Sequence, residues 1–285
     1  MPARVGLIGH PVAHSISPAF QQAAFDAVGF DARYEAWDVL PDGLASLIEG
    51  LRGPDALGAN VTIPYKEAAA REMDRLHQTA RHVGAINTIV RGDDGLEGYN
   101  TDVAGFQRGL EAAGFDAQDA DVVIWGAGGA ARAVAWALIW RDVGALTIVN
   151  RSGIRAGRLR HDLSAASGDT RLRAYPIEDA ASLAALATCD LVVHCTPLGL
   201  RGSEGEDALP FDPDLLAPGT RVVDLIANPV RSPLVLAAEA RGLAAVGGLP
   251  MLVYQGAASF ELWTRQEAPV DTMFAAAEAA MRANE

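Results

Sequence analysis

The sequence predicts an α/β protein of two domains, the first of them built on a mostly parallel sheet. Three observations carry that expectation. Short β-prone apolar runs alternate with helical stretches along most of the chain, the pattern of parallel strands joined by helical crossovers. Near the middle, a strand, a glycine-rich turn and an apolar helix follow one another without a break. The 285 residues, half of them hydrophobic, suffice for one large domain or two ordinary ones, each with a full core.

In the first part of the chain, β-prone runs fall at residues 4–9, 34–39, 59–63, 85–90 and 96–100. Helical stretches lie between them at 18–28, 44–50 and 65–76, with Pro18 and Pro64 where a proline suits a helix's first turn. A second α/β unit starts near Ala120 with the run DVVIWGAGGAARAVAWALIW. ALTIVN, RLRAYP, DLVVHCT, RVVDLI and LAAVG follow as short strands, and the acid- and glycine-rich stretch 201–208 reads as a solvated loop. From Pro250 onward the chain is helical and rich in alanine. The domain boundary is expected just after Thr101-Asp102, where a new helix and then the glycine turn follow.

A net charge of −13 argues against nucleic acid or an anionic membrane as partner. It leaves room for a small anionic substrate, because a local site can be basic inside an acidic protein. No apolar run reaches membrane-spanning length, and the opening MPARVGLIGHP lacks a signal peptide's apolar core, so a cytoplasmic protein is expected. The two cysteines, Cys189 and Cys195, read as small apolar side chains rather than a disulfide, in keeping with a reducing compartment. Of the 23 basic residues, Lys66 is the only lysine. A guanidinium stays protonated, whereas an ammonium can give up its proton in suitable surroundings. A lysine that resists so strong an arginine bias is therefore a candidate for proton transfer.

Gly126-Ala127-Gly128-Gly129-Ala130-Ala131 matches G-x-G-x-x-A directly after the strand at 122–125 and opens a helix. The first glycine permits a tight turn, the second lets backbone approach a diphosphate, and Ala131 lets helix and strand pack closely. A tight βα turn alone would satisfy the glycines, but strand, turn and helix together point to a Rossmann-like dinucleotide-binding domain. The next strand ends Thr147-Ile148-Val149-Asn150-Arg151-Ser152, with Arg155 and Arg158 close behind. A carboxylate at that strand end would bond a ribose 2′-hydroxyl; guanidiniums suit a 2′-phosphate, which favours NADP over NAD. The alternative is a solvated basic helix start.

Three further segments have compositions that secondary structure does not explain. Gly9-His10-Pro11-Val12-Ala13-His14-Ser15-Ile16-Ser17-Pro18 places two hydroxyls at i and i+2 between prolines, able to grip a carboxylate together with nearby amides. Ser17 before Pro18 would equally suit a helix N-cap. His10 and His14 stand four apart, but Pro11 spoils the helix a zinc pair would need, so no metal is expected. Gly58-Ala59-Asn60-Val61-Thr62-Ile63-Pro64-Tyr65-Lys66 runs from a strand into a helix carrying the lone lysine. Gly84-Ala85-Ile86-Asn87-Thr88 and Gly98-Tyr99-Asn100-Thr101-Asp102 are expected to end two further strands. Amides and carboxylates placed repeatedly at strand ends look like a crevice for a polyol.

With these residues in hand, the chain resembles the shikimate dehydrogenase family over nearly its whole length. The matching motifs are HPVAHSISP, GANVTIPYK, GAINT, NTD, GAGGAAR, NRS, CTPLG and GGLPMLVYQ, in the family's order. The resemblance implies a substrate-binding domain of residues 1–103 plus 243–285 and an NADP-binding domain of residues 104–242. It also implies reversible reduction of 3-dehydroshikimate to shikimate by hydride transfer, with Lys66 and Asp102 as the catalytic pair. Ser15 and Ser17 would hold the substrate carboxylate, while Asn60, Thr62, Asn87, Asp102 and Gln255 would meet the ring hydroxyls or neighbouring substrate atoms. Gly126, Ala127, Gly128, Gly129 and Ala130 would line the pyrophosphate, with Asn150, Arg151 and Arg155 around the 2′-phosphate. Thr196, Gly248 and Met251 would lie toward the nicotinamide. A monomer or homodimer is expected.

One departure from the family pattern stands out. The family commonly carries a tyrosine where this chain has Ala227, in Val222-Val223-Asp224-Leu225-Ile226-Ala227-Asn228-Pro229. Loss of that ring and hydroxyl puts the identity of the ring acid in doubt, and paralogues of the family act on quinate or aminoshikimate. Ser17, where quinate-using members tend to carry threonine, leans back toward shikimate. A regulatory nucleotide-binding pseudo-enzyme is the reading from another class; such a protein would need neither Lys66 nor Asp102 for binding.

Overall fold

β1 (Ala3–Gly9) is buried without a break from Val5 to Gly9, as befits a central strand covered on both faces. In the structure, a computed structural model that describes residues 2–283, the chain divides into two units. The first runs to Gly105 and resumes at Val253; the second is Phe106–Leu252. The outermost residues of the expected first domain, 1 and 284–285, lie outside the described residues.

In the first unit, α1 (Ser17–Ala27) carries the chain to β2 (Ala32–Asp38), and α2 (Leu44–Gly50) carries it to β3 (Ala56–Val61). β2 and β3 flank β1 and run parallel to it. α3 (Lys66–Ala70), β4 (Arg75–Leu76) and α4 (Gln78–Val83) lead to β5 (Thr88–Gly92) and β6 (Gly95–Tyr99). The sheet order is β2-β1-β3-β5-β6-β4, and only β5 runs against its neighbours. The reversal is local in origin: Asp93-Asp94 form a two-residue turn between paired Gly92 and Gly95, and a hairpin can only join antiparallel strands.

The helix expected over 65–76 stops at Ala70. Tertiary contacts override its helical propensity. The Asp74 carboxylate accepts the Leu96 N–H at 2.7 Å and pairs with Arg52 at 2.5 Å, which ties this segment to the sheet edge and makes β4. α4, which the sequence pattern did not suggest, is capped by the His77 side chain and stopped by left-handed Gly84.

In the second unit, the strands are β7 (Asp121–Trp125), β8 (Ala145–Asn150), β9 (Arg171–Pro176), β10 (Leu191–His194), β11 (Arg221–Asp224) and β12 (Ala245–Val246). The helices between are α6 (Gly129–Ile139), α7 (Gly153–Leu163), α8 (Ala180–Leu186) and α9 (Pro233–Ala240), after α5 (Asp102–Ala112) has left the first unit. All pairings are parallel, in the order β9-β8-β7-β10-β11-β12. That is the 3-2-1-4-5-6 order of dinucleotide-binding sheets. The unit runs on to Leu252, past the expected break after 242, because β12 pairs with β11 and keeps this segment in the second sheet.

α10 (Leu249–Thr264) and α11 (Val270–Ala283) complete the first unit's core, with α11 packed on α1 and the Phe25 and Phe260 rings 5.1 Å apart. No described helix is long and apolar enough to cross a membrane. Both cysteines are free thiols.

Candidate active site

Because β5 is reversed, its first residue lies at the same sheet edge as the last residues of β1, β3 and β6. Carboxyl-terminal strand edges are where open α/β sheets bind ligands. The loops at this edge carry Ser15 and Ser17 after β1, Thr62 and Lys66 after β3, Asn87 before β5, and Thr101 and Asp102 after β6.

One backbone group orients the centre of this site. The Thr101 N–H can only donate, and it meets Asn87 Oδ1 at 2.7 Å. The other end of that amide is therefore Nδ2, which donates to Asp102 Oδ1 at 2.8 Å and to Gln255 Oε1 at 3.0 Å. Gln255 in turn directs its Nε2 donors away from Asn87. The second oxygen of Asp102 takes Lys66 Nζ at 2.5 Å. Asp102 is also the first residue of α5, where the helix dipole favours a carboxylate. The Lys66 side chain keeps 19 % of its surface exposed against 8 % for Asp102, so the ammonium stands in front of a buried anion.

Ser17 does not cap α1: the N-cap is Ile16, without a side-chain cap. The Ser15 hydroxyl instead accepts the Ser17 N–H at 3.2 Å, and among the described residues the Ser17 hydroxyl has no partner. Thr62 sits close to this loop, since a Cβ at Gly9 would fall 2.4 Å from its methyl group. Only glycine lets the two loops meet. His10 Nδ1 pairs with Asp38 at 2.5 Å, which holds the Asp38 carboxyl below its ordinary range. Among the described residues no group of three or more His, Cys, Asp or Glu could hold a metal ion.

Asn60 occupies a different place from the one expected of a substrate contact. It is buried, its Oδ1 accepts the Tyr34 hydroxyl at 2.8 Å, and its Nδ2 donates to Asn87 O, Thr88 Oγ1 and Ser259 Oγ. Every polar atom of this side chain is committed within the protein, so it braces Asn87 from behind. Burial pushes the Tyr34 phenol well above its ordinary pKa, keeping it a donor. Sequence reasoning missed Tyr34, Thr88 and Ser259; the available signal was polar residues inside otherwise apolar strands and helices.

In the second unit, Gly126 adopts φ +126°, and a Cβ there would lie 3.1 Å from the Cys195 carbonyl. At Gly128 and Gly129 an added Cβ would meet nothing within 4 Å, so this turn opens onto free space. No side chain caps α6, whose first amides are left for a ligand. Ala127 and Ala130 complete a partly exposed cradle of the kind that fits a diphosphate. At the end of β8, Asn150 Nδ2 donates to Ser152 O, and Ser152 Oγ caps α7 by accepting the Arg155 N–H. Arg151, Arg155 and Arg158 are exposed, and none has a carboxylate partner among the described residues. The donor set fits a phosphate on the ribose.

Gly248 has a backbone reason to be glycine, because a Cβ would lie 2.3 Å from the Leu225 carbonyl oxygen. Met251 lines a small apolar hollow with Phe106, Leu225 and Pro250. Thr196 Oγ1 lies 2.5 Å from the Nε2 of His194, a residue the motifs did not single out.

Comparison with known proteins gives a consistent pattern. The family model for the shikimate dehydrogenase substrate binding domain matches residues 7–89, and that for the shikimate 5′-dehydrogenase C-terminal domain matches residues 248–278. The NADP(+) shikimate dehydrogenase of Moorella thermoacetica is 45% identical over 269 residues, 94% of this chain and 90% of that protein. The crystal structure of Thermus thermophilus shikimate 5-dehydrogenase with NADP(H) and shikimate superposes with a TM-score of 0.87 at 34% identity, covering 98% of this chain and 99% of that one. A quinate dehydrogenase of Corynebacterium glutamicum, in complex with NAD, superposes with a TM-score of 0.88 at 30% identity over 98% of this chain and 99% of that one.

Proposed function

This chain belongs to the shikimate dehydrogenase family, and from that premise we infer that it is an NADP-dependent oxidoreductase interconverting 3-dehydroshikimate and shikimate. The observation that carries the reading is the Lys66–Asp102 pair at 2.5 Å, braced by Asn87 and Gln255. When bound, NADPH supplies a hydride to the carbonyl carbon of the ring. Everything else is the protein's work.

As the carbonyl oxygen gains charge, the Lys66 ammonium stabilises the alkoxide and delivers the proton; in the oxidation direction the neutral amine takes one. Asp102 orients Lys66 through one oxygen and is itself held by Asn87 through the other. Gln255 and Thr62 bond ring hydroxyls, and Ser15 and Ser17 bind the ring carboxylate. The first unit is thus the substrate-binding unit. In the second, Gly126, Ala127, Gly128, Gly129 and Ala130 receive the pyrophosphate, Asn150, Arg151 and Arg155 the 2′-phosphate. Thr196, Gly248 and Met251 lie toward the nicotinamide. The protein works in the cytoplasm as a monomer or homodimer.

Ala227, in place of the family's tyrosine, favours one second reading: a sister ring acid, quinate or aminoshikimate, as preferred substrate. Turnover of shikimate, quinate and aminoshikimate, each with NADP and with NAD, tests both. Fastest turnover of shikimate with NADP supports the first reading; preference for another acid supports the second. No turnover with any pair would make the chain a nucleotide-binding regulator and sink both.

A further inference from the structure

β10 and β11 end in a buried ionisable pair that the reaction described above does not use. His194 and Asp224 are register partners on these parallel strands, and their side chains are 0% and 1% exposed. Burying such a pair among apolar strands is costly unless its hydrogen bonds are complete, and here they are.

We propose that His194 and Asp224 are positioning residues that lock the Thr196 hydroxyl as a hydrogen-bond acceptor for the carboxamide nitrogen of the nicotinamide. This rests on the NADP reading of the second unit. The direction of each bond follows from its partners. Asp224 Oδ1 accepts the Ile226 N–H at 3.1 Å, and Oδ2 accepts the Ser232 hydroxyl, whose oxygen caps α9 by taking the Val235 N–H. An acceptor-only carboxylate 2.8 Å from His194 Nδ1 requires that nitrogen to carry the proton. In the neutral ring Nε2 is then the acceptor, and its partner is Thr196 Oγ1 at 2.5 Å. Thr196 therefore spends its single proton inward; its oxygen accepts the Leu198 N–H at 3.4 Å and keeps one lone pair for a ligand's donor.

The place is the nicotinamide side of the glycine turn. A Cβ on Gly126 would lie 3.2 Å from the Thr196 methyl group, so the two loops touch. β10 adjoins β7 on the side opposite β8, and β8 ends in the arginines assigned to the 2′-phosphate. With the diphosphate at the turn, adenosine lies toward β8 and nicotinamide toward β10. On that ring the carboxamide is the group that offers N–H donors. A free hydroxyl could serve either end of the carboxamide; a hydroxyl with its proton committed selects the nitrogen and so sets the rotation of the group.

The test uses binding alone. Dissociation constants for NADPH and for its reduced 3-acetylpyridine analogue, which has a methyl group in place of the amide nitrogen, are measured without ring acid. Wild type is expected to bind the analogue about 3- to 10-fold more weakly, the worth of one neutral hydrogen bond. Thr196→Val should weaken NADPH by a similar factor and bind both cofactors equally, and Thr196→Ser should restore the difference. His194→Asn can still donate to Asp224 but frees the Thr196 proton, and it should lose discrimination while keeping the hydroxyl. Equal binding by wild type, or discrimination retained in Thr196→Val or in His194→Asn, overturns the proposal. The wild-type and Thr196→Val arms decide it even where His194→Asn fails to fold. A wild type that binds neither cofactor overturns the NADP reading, and this proposal with it.

Discussion

Tyr34 donates its phenol proton to Asn60 Oδ1 across 2.8 Å, and both side chains are buried. The bond completes the set of partners that keeps Asn60 behind Asn87. Tyr34→Phe leaves a buried amide oxygen without its donor, a loss of about 1–3 kcal/mol. Urea unfolding should record that loss, with KM for the ring acid nearly unchanged. A large rise in KM at unchanged stability would return Asn60 to the substrate.

Lys66→Ala should abolish turnover while leaving substrate and cofactor binding largely intact, because binding is shared among many groups and proton transfer is not. General acid–base assistance alone is worth on the order of 10²–10⁴ in rate. Lys66→Arg should fail nearly as badly, since a guanidinium does not cycle its proton. Retention by Lys66→Arg of more than about a tenth of kcat would refute the proton-transfer role assigned to the lysine.

Joint replacement of Arg151 and Arg155 by alanine should weaken NADP far more than NAD. Each guanidinium contributes a charge-assisted bond of roughly 1.5–3 kcal/mol to a group that NAD lacks. Calorimetric titration of the variant with both cofactors reads this directly. Equal losses would show that these arginines do not read the 2′-phosphate.

Ala227→Tyr should lower KM for shikimate and impair any bulkier ring acid that uses the vacated space. A hydroxyl bonded to a carboxylate is worth roughly 1.5–3 kcal/mol, or about one to two decades in affinity. Steady-state kinetics on shikimate, quinate and aminoshikimate decide the matter. An unchanged KM profile in a folded, NADP-binding variant would mean that position 227 does not face the substrate.

Burial pushes the Cys189 thiol up to about 12 and raises that of Cys195 as well. The thiolate is the reactive form, so both should resist a disulfide reagent at about pH 8 in the native protein and react once it is unfolded. Rapid labelling of either thiol before unfolding would contradict this.

The glycine turn and the strands of the second sheet were legible because their signals are local: small residues where backbone must bend, apolar runs where strands are covered on both sides. Lys66 stood out in composition as the lone lysine, and its place after the GANVTIPY segment singled it out further. The first sheet was harder. α3 stops short and β4 forms because Asp74 is held by Arg52 and by Leu96, 22 residues away in either direction. Asn60 read as a substrate contact because its strand-end position is typical of one. Its actual partners lie 26 residues upstream at Tyr34 and 199 downstream at Ser259. The His194–Asp224 pair was equally invisible, since a histidine and an aspartate 30 residues apart become partners only through strand register.

The first unit is closed by residues from far along the chain, and that has a consequence for how the protein emerges from the ribosome. Gln21 Nε2 donates to Gly256 O at 2.9 Å and Phe25 packs on Phe260, so the face of α1 that carries these side chains is not covered until α10 has been made. The second unit is one uninterrupted stretch, Phe106–Leu252, and all six of its strands are available before then. At the usual pace of about 5–20 residues per second, the first unit waits on the order of ten seconds with Phe20 and Phe25 uncovered. The second unit can fold first, and α1 is the helix that most needs a chaperone's shelter during synthesis.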